Sequence, residues 1–294
     1  MGGLSQLAQS RGLPEPSIQP ELRWVDRADG HRIAAWDWGG EGEPILFLHG
    51  GALSAHSWDL LCPLLRSTHH CIAVDLRGHG DSDWAESYRI ADHVSDIVRV
   101  AEGFKLDRAH IVGMSLGGVV AAYVALDSSG FDAASLALVD VAPGVVFENT
   151  RRLRAFVRDS AVADGVDALI EQARRYGARG SEAQLYYRYS TLIRPTEKGG
   201  WRWKYDPDGA DFPHILNHIA MLDSRAGEMR LPLLVVRGGS SQILSDAAAA
   251  RFAGLCPQGR WCVVADAGHT VQEDNPLGLS EALIQFWSSR PALR

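Results

Sequence analysis

His110-Ile111-Val112-Gly113-Met114-Ser115-Leu116-Gly117-Gly118 is the stretch from which the fold is read. Its first three residues are an unalternated apolar run of strand type. From Leu116 onward the residues (to Leu126) carry helix-forming periodicity. Between them Ser115 is flanked by glycines at two-residue spacing, so chain direction must reverse sharply around it. Small residues on both sides are what a strained strand-to-helix turn needs, and such a turn lifts the serine hydroxyl clear of the sheet. It also leaves the Leu116 N–H at a helix N-terminus, where backbone donors lack intrahelical partners.

Working outward, short continuous apolar segments recur at Pro44–Leu48, Cys71–Val74 and Leu136–Val139. Unalternated runs of this length fit strands buried on both faces, as in a parallel sheet. Helix-period segments lie between them, at Ser57–Leu65, Ile90–Phe104 and Leu116–Leu126. The order is β-α-β-α, hence an α/β fold with right-handed crossovers. Ahead of it, Leu22 to Trp38 reads as two alternating strands turning at Asp29-Gly30. The strand signal stops at about Pro143 and resumes only at Pro232–Val236 and Trp261–Val264, before a closing helix at Leu277–Trp287. The interval carries helical stretches at Thr150–Ser160, Val166–Tyr176, Glu182–Leu192 and His214–Leu222, with no strand signal. The expected organisation is therefore a loose leader over 1–20, a core over 21–142 plus 230–294, and a helical insertion over 143–229.

Composition removes several function classes. The 294 residues are 46% hydrophobic and carry a formal charge of −7, which excludes a disordered chain and argues against a nucleic-acid-binding face. Lys105, Lys198 and Lys204 are the only lysines, leaving few candidates for Schiff-base chemistry. No apolar run approaches the ~18 residues of a membrane span, and the N-terminus lacks a secretory h-region. Cys62, Cys71, Cys256 and Cys262 have neither CxxC nor metal-ligand spacing, which fits reduced thiols in the cytoplasm. No GxGxxG follows the first strand and no GKS/T occurs, so no cofactor is implied. His214 and His218 have the i,i+4 spacing of metal ligands, without the Glu of HExxH; packing or pocket lining is the first reading.

A serine is not ionised at neutral pH and needs a base. Of the 11 histidines, His269 is best placed: Asp266-Ala-Gly-His269 lies between the last strand and the last helix. That puts it on the sheet edge of Ser115, at the C-terminal ends of the strands where open α/β sheets bind ligands. His49-Gly50-Gly51 ends another strand. There the Gly51 N–H is a second donor, beside Leu116, for an oxyanion, and His49 itself reads as structural.

On His49-Gly50-Gly51, Asp75-Leu-Arg-Gly78-His-Gly80-Asp-Ser82, the Ser115 turn and Ala267-Gly268-His269, in this order, the chain resembles the α/β-hydrolase superfamily. The resemblance implies a mostly parallel eight-stranded sheet with helices on both faces, and a cap where the 143–229 insertion falls. One position departs from the family pattern. The family usually places its catalytic acid after the strand that here is Leu233–Val236, and the loop reads Arg237-Gly-Gly-Ser-Ser-Gln-Ile-Leu-Ser245. Some members instead carry the acid one strand earlier, which points to Asp140. Asp246, read as a helix N-cap, and Asp266 remain alternatives.

These residues imply a serine hydrolase acting on a carboxylic ester or lactone, with Ser115, His269 and Asp140 as triad and an acyl-enzyme intermediate. Trp201, Trp203, Tyr186, Tyr187 and Tyr189 are expected to roof an apolar pocket for a bulky small molecule. Hydrolysis of C–C bonds in ring-fission products uses the same triad, and cofactor-free dioxygenases and perhydrolases share the fold. A non-enzymatic binder on this fold is the alternative from another class. Oligomeric state is not readable from these motifs.

Overall fold

The computed structural model describes residues 2–146, 162–197, 199–209 and 212–289. The central sheet contains β1 (Glu21–Asp26), β2 (Arg32–Gly39), β3 (Pro44–Leu48), β4 (His70–Val74), β5 (Arg108–Met114) and β6 (Asp132–Val139). Within the insertion lie β7 (Val162–Ala163), β8 (Ile193–Pro195) and β9 (Trp201–Trp203); β10 (Leu233–Gly238) and β11 (Gly259–Val264) then complete the central sheet. Its order is β1-β2-β4-β3-β5-β6-β10-β11. The pairings β1–β2 and β2–β4 are antiparallel, and those from β4 through β3, β5, β6 and β10 to β11 are parallel.

The continuous apolar runs arise because successive side chains enter two separate cores. Leu46, Leu48 and Ile111 pack on one face with the helices Ile90–Gly103, Leu116–Asp127 and Asp246–Leu255. Ile45, Phe47, Val112 and Met114 pack on the other with the segment Cys62–Leu65 and the helix Pro276–Ser288. Every residue from Leu116 to Val124 is buried, so this helix is apolar all round, as a helix enclosed by sheet and neighbouring helices requires.

Three expectations are corrected. The leader is not loose throughout: Gly2–Ser10 is a helix whose Leu4, Leu7 and Ala8, one face at i, i+3 and i+4 spacing, are buried in the second core beside Trp58 and Leu61. The expected helix Ser57–Leu65 is instead a 3₁₀ turn, Ala55–Trp58, and a single α-turn, Cys62–Leu65. Pro63 in its first turn explains the division, since proline lacks the N–H a continuous helix would use. The insertion also contains strands, in a small antiparallel sheet of order β7-β9-β8. They are two or three residues long, too short for alternation to register. Helices Val166–Arg175, Glu182–Leu192 and Phe212–Arg225 accompany them; the stretch Thr150–Ser160 lies outside the described residues.

The insertion sits on the loops leaving the C-terminal ends of the sheet strands. Tyr187 donates to Asp59, and Arg188 pairs with Glu273. Tyr88 donates to Asp206 at 2.5 Å, and Lys204 pairs with Asp81 at 2.8 Å. Ala52 and Leu53, just beyond β3, pack against the insertion's own apolar cluster.

Candidate active site

Ser115 stands between β5 and the helix Leu116–Asp127, with φ 51° and ψ −115°. Positive φ in a non-glycine residue is strained, and the surroundings enforce it. A Cβ added at Gly113 would lie 2.3 Å from the Gly117 carbonyl oxygen, and one at Gly117 would lie 2.2 Å from that of Leu48. Helix and strand therefore approach too closely for any other residue. The Ser115 N–H donates to Val139 O at 3.2 Å, and Gly117 N–H to His49 O at 3.0 Å, locking the turn to both neighbouring strands.

The loop after β3 runs beside this turn. A Cβ at Gly50 would meet the Met114 sulfur at 2.5 Å and Ser115 Cβ at 3.3 Å, whereas one at Gly51 would meet open space. Gly51 thus borders a void, and Leu116 opens its helix where the first N–H groups lack intrahelical acceptors. His49 is wholly buried; its Nδ1 donates to Gly50 O at 2.8 Å and its Nε2 accepts from Leu76 N–H at 3.0 Å. Burial pushes its pKa down to about 4, so it is a neutral structural histidine. Asp75 anchors the same loop, accepting from the N–H groups of Ala55 (2.7 Å) and Asp81 (3.0 Å). A Cβ at Gly80 would sit 2.1 Å from its carboxylate, which accounts for glycine in the Gly78-His-Gly80 segment.

Asp140, one residue beyond β6, is fully buried with φ 52°. Its N–H donates to Val236 O at 2.7 Å, continuing the β6–β10 ladder, in which Val139 is opposite Val236. Its Oδ2 accepts from His269 Nδ1 at 2.7 Å and from Ser241 Oγ at 2.5 Å, and its Oδ1 accepts from Gly238 N–H at 3.0 Å. His269 is a quarter exposed. Its loop is laced to the end of β10: Ser240 N–H donates to Ala267 O at 2.8 Å, and a Cβ at Gly238 would lie 2.1 Å from Gly268 O. The arrangement is a buried carboxylate with three donors, one of them the His269 imidazole.

The alternative acids lie elsewhere. Asp246 pairs with Arg237 at 3.2 Å, and the N-cap expected there is instead Ser245, whose Oγ accepts from Ala248 N–H at 3.2 Å. Asp266 is exposed. Ser241, in the loop where the family's usual acid is missing, gives its hydroxyl to the Asp140 carboxylate. Only the lateral pairing of β6 with β10 brings these residues together, and no local motif carries that signal.

The aromatic residues of the insertion are placed differently from expectation. Trp203 and Tyr189 are buried in the insertion's own cluster with Leu169, Leu185 and Leu192. Tyr186 is 45% exposed. Tyr187 instead borders a small opening with Leu53, Ser57, Leu60, Arg188 and Leu192 also on its walls, and neither Ser115 nor His269 lines it. The aromatic content thus serves first to give a small subdomain its own core. Among the described residues, no group of three or more His, Cys, Asp or Glu side chains is disposed to hold a metal, and no helix is long and apolar enough to cross a membrane.

A mostly parallel eight-stranded sheet with a glycine-enforced serine turn at its C-terminal edge defines a class, and the family comparison agrees. Residues 43–276 match the alpha/beta hydrolase fold family; the chain belongs to it and is a hydrolase. Among its relatives is the Mycobacterium tuberculosis esterase Rv0045c, 29% identical over 95% of this chain and 92% of that protein. A solved structure of that esterase superimposes with a TM-score of 0.78 at 27% identity, covering 97% of each chain. The Escherichia coli esterase YbfF is 27% identical over 83% of this chain and 92% of its own length. A 2-hydroxy-6-oxo-6-(2'-aminophenyl)hexa-2,4-dienoic acid hydrolase of Metapseudomonas resinovorans is 24% identical over 85% and 86%.

Proposed function

We propose that the protein is a serine esterase using Ser115, His269 and Asp140, with the N–H groups of Gly51 and Leu116 as oxyanion hole. The observation that carries this reading is the 2.7 Å contact between His269 Nδ1 and buried Asp140, on the sheet edge where Ser115 occupies its strained turn. Ser115 Oγ attacks the ester carbonyl while His269 Nε2 takes its proton. Asp140 holds Nδ1–H in place, fixing the tautomer, and its charge offsets the imidazolium. The tetrahedral oxyanion accepts from Gly51 and Leu116, donors fixed before reaction begins. His269 then protonates the departing alkoxide, and water repeats the sequence on the acyl-enzyme. A lactone would follow the same path with the leaving group still tethered.

The similarity to two proteins named esterases favours the ester over other bonds. Four unpaired cysteines are consistent with a reducing compartment such as the cytoplasm. The similarity to the dienoic acid hydrolase keeps C–C hydrolysis as a second reading, which needs the same three side chains. A fluorophosphonate should label Ser115, and Ser115→Ala should abolish labelling and ester turnover together. Labelling elsewhere with turnover intact would overturn the assignment. A kcat/KM for vinylogous diketones above that for p-nitrophenyl esters would replace the first reading by the second.

A further inference from the structure

The helix Phe212–Arg225 closes the insertion and lies against the helix Leu116–Asp127. Two histidines one turn apart, His214 and His218, share a face of it. Their rings stand at 74° with centroids 4.5 Å apart, and their Nε2 atoms approach to 3.1 Å. Helical spacing alone would bring the side chains near each other but would not make the same nitrogen of each ring converge. For metal–nitrogen bonds of about 2.05 Å, a 3.1 Å separation corresponds to an N–metal–N angle of ~98°, between the square-planar and tetrahedral values. Both residues are partly exposed, so an ion can enter without the insertion opening. The His218 ring is backed by Tyr123, edge-on at 4.8 Å, and the Tyr123 hydroxyl donates to His218 O at 3.1 Å. The second ligand is thus fixed by the core helix as well as by its own. Arg225, at the end of the same helix, is paired with Asp127 and Glu228, so its charge is offset.

We propose that His214 and His218 form a two-histidine site for a divalent transition metal such as Zn²⁺, Ni²⁺ or Cu²⁺, with water completing the coordination. Imidazole nitrogen suits these ions and not Mg²⁺ or Ca²⁺. In the metal-free pair one ring donates Nε2–H to the other. On binding, that proton moves to Nδ1 of its own ring and both Nε2 lone pairs face the ion, so each ring stays neutral. The site is independent of the chemistry assigned to Ser115.

Isothermal titration of the full-length protein with Zn²⁺ should show one site per chain tighter than the background of the other histidines. His214→Gln and His218→Gln should each weaken it at least tenfold, and Cu²⁺ loaded at one equivalent should show electron paramagnetic coupling to two nitrogens. Circular dichroism of each variant establishes that it is folded. Zn²⁺ affinity unchanged in both folded variants, absence of any site at millimolar Zn²⁺, or Cu²⁺ coupling to a single nitrogen would each overturn the proposal. Mg²⁺ competing as well as Zn²⁺ would do the same.

Discussion

At the edge of the sheet, position is imposed by the backbone. Gly113, Gly117 and Gly238 each have a neighbouring carbonyl where a Cβ would stand, and Ser115 and Asp140 both adopt positive φ. In the insertion, position is imposed mainly by side chains, Tyr187 on Asp59, Arg188 on Glu273, Tyr88 on Asp206 and Lys204 on Asp81, beside a backbone bond from Asp206 N–H to Gly78 O. Backbone interlocking leaves few alternative arrangements, because shifting one strand disturbs several hydrogen bonds at once. Side-chain tethers can be released singly. The comparison teaches that this molecule combines a sheet edge fixed by its backbone with a separately fastened insertion, whose fastenings lie in the loops beyond the strand ends.

The largest test concerns chemistry at the fixed edge. Asp140→Asn keeps the shape of the buried side chain but removes the charge facing His269, and in the proposed triad it should lower ester turnover by roughly 10⁴. Thermal unfolding should stay cooperative, since the Asn oxygen can still accept from the Gly238 N–H while its NH2 donates to the Ser241 hydroxyl. Turnover within tenfold of the parent would remove Asp140 from the mechanism. Gly117→Ala tests the backbone side of the comparison. With Leu48 O 2.2 Å from the new Cβ, strand and helix must separate, and we expect a loss of about 3 kcal/mol or more, read by urea denaturation. A loss below about 1 kcal/mol would mean that the edge is softer than the geometry implies.

What was legible in the sequence follows the same division. The Gly113–Gly118 turn, the strands from Pro44 and the His269 loop each carry local signals, because a close approach admits only glycine and a doubly buried strand admits only apolar residues. The Asp140–His269 contact was accessible through strand order, once the loop after β10 offered no carboxylate. The Ser241–Asp140 bond, the helix Gly2–Ser10 and the strands β7 to β9 were not. Ser241 depends on a lateral neighbour 101 residues away in sequence. The N-terminal helix is three buried residues on a background of glycine and polar side chains, and strands of two or three residues have no period to detect. The tethers Tyr187–Asp59 and Arg188–Glu273 join residues far apart in sequence, so composition describes them only as polar helix surface.

An intermediate effect is expected where the insertion is fastened. Arg188 and Glu273 are both largely buried, and Glu273→Gln leaves the guanidinium without its carboxylate. A loss of about 2 kcal/mol is expected, below that of a fully buried pair because both groups keep some water. Hydrogen exchange should accelerate over Glu182–Leu192 while β5 remains protected. Equal acceleration in both regions would show that the insertion and the sheet open as one unit.

The smallest expected effect separates the two regions by pH. Burial alone would lower the pKa of His56, but Asp59, 2.8 Å away, outweighs it, and Asp75 adds to the rise above the ordinary 6.5. Lys204 opposes the shift, and the His56 ring rests against Trp36 with centroids 4.5 Å apart. The same Asp59 Oδ2 receives the Tyr187 hydroxyl, so the imidazolium steadies the carboxylate to which the insertion is tied. A histidine whose folded pKa is raised contributes its stabilisation fully below the unfolded value and loses it as pH rises through the folded value. His56→Gln should therefore cost about 1 kcal/mol at pH 5.5 and much less at pH 9, seen as a Tm difference that narrows with pH. In the Glu273→Gln background the pH-dependent part should persist, because Arg188–Glu273 and His56–Asp59 share no atoms. A Tm difference constant from pH 5.5 to 9 would show that His56 holds Asp59 as a neutral donor and that charge plays no part in this fastening.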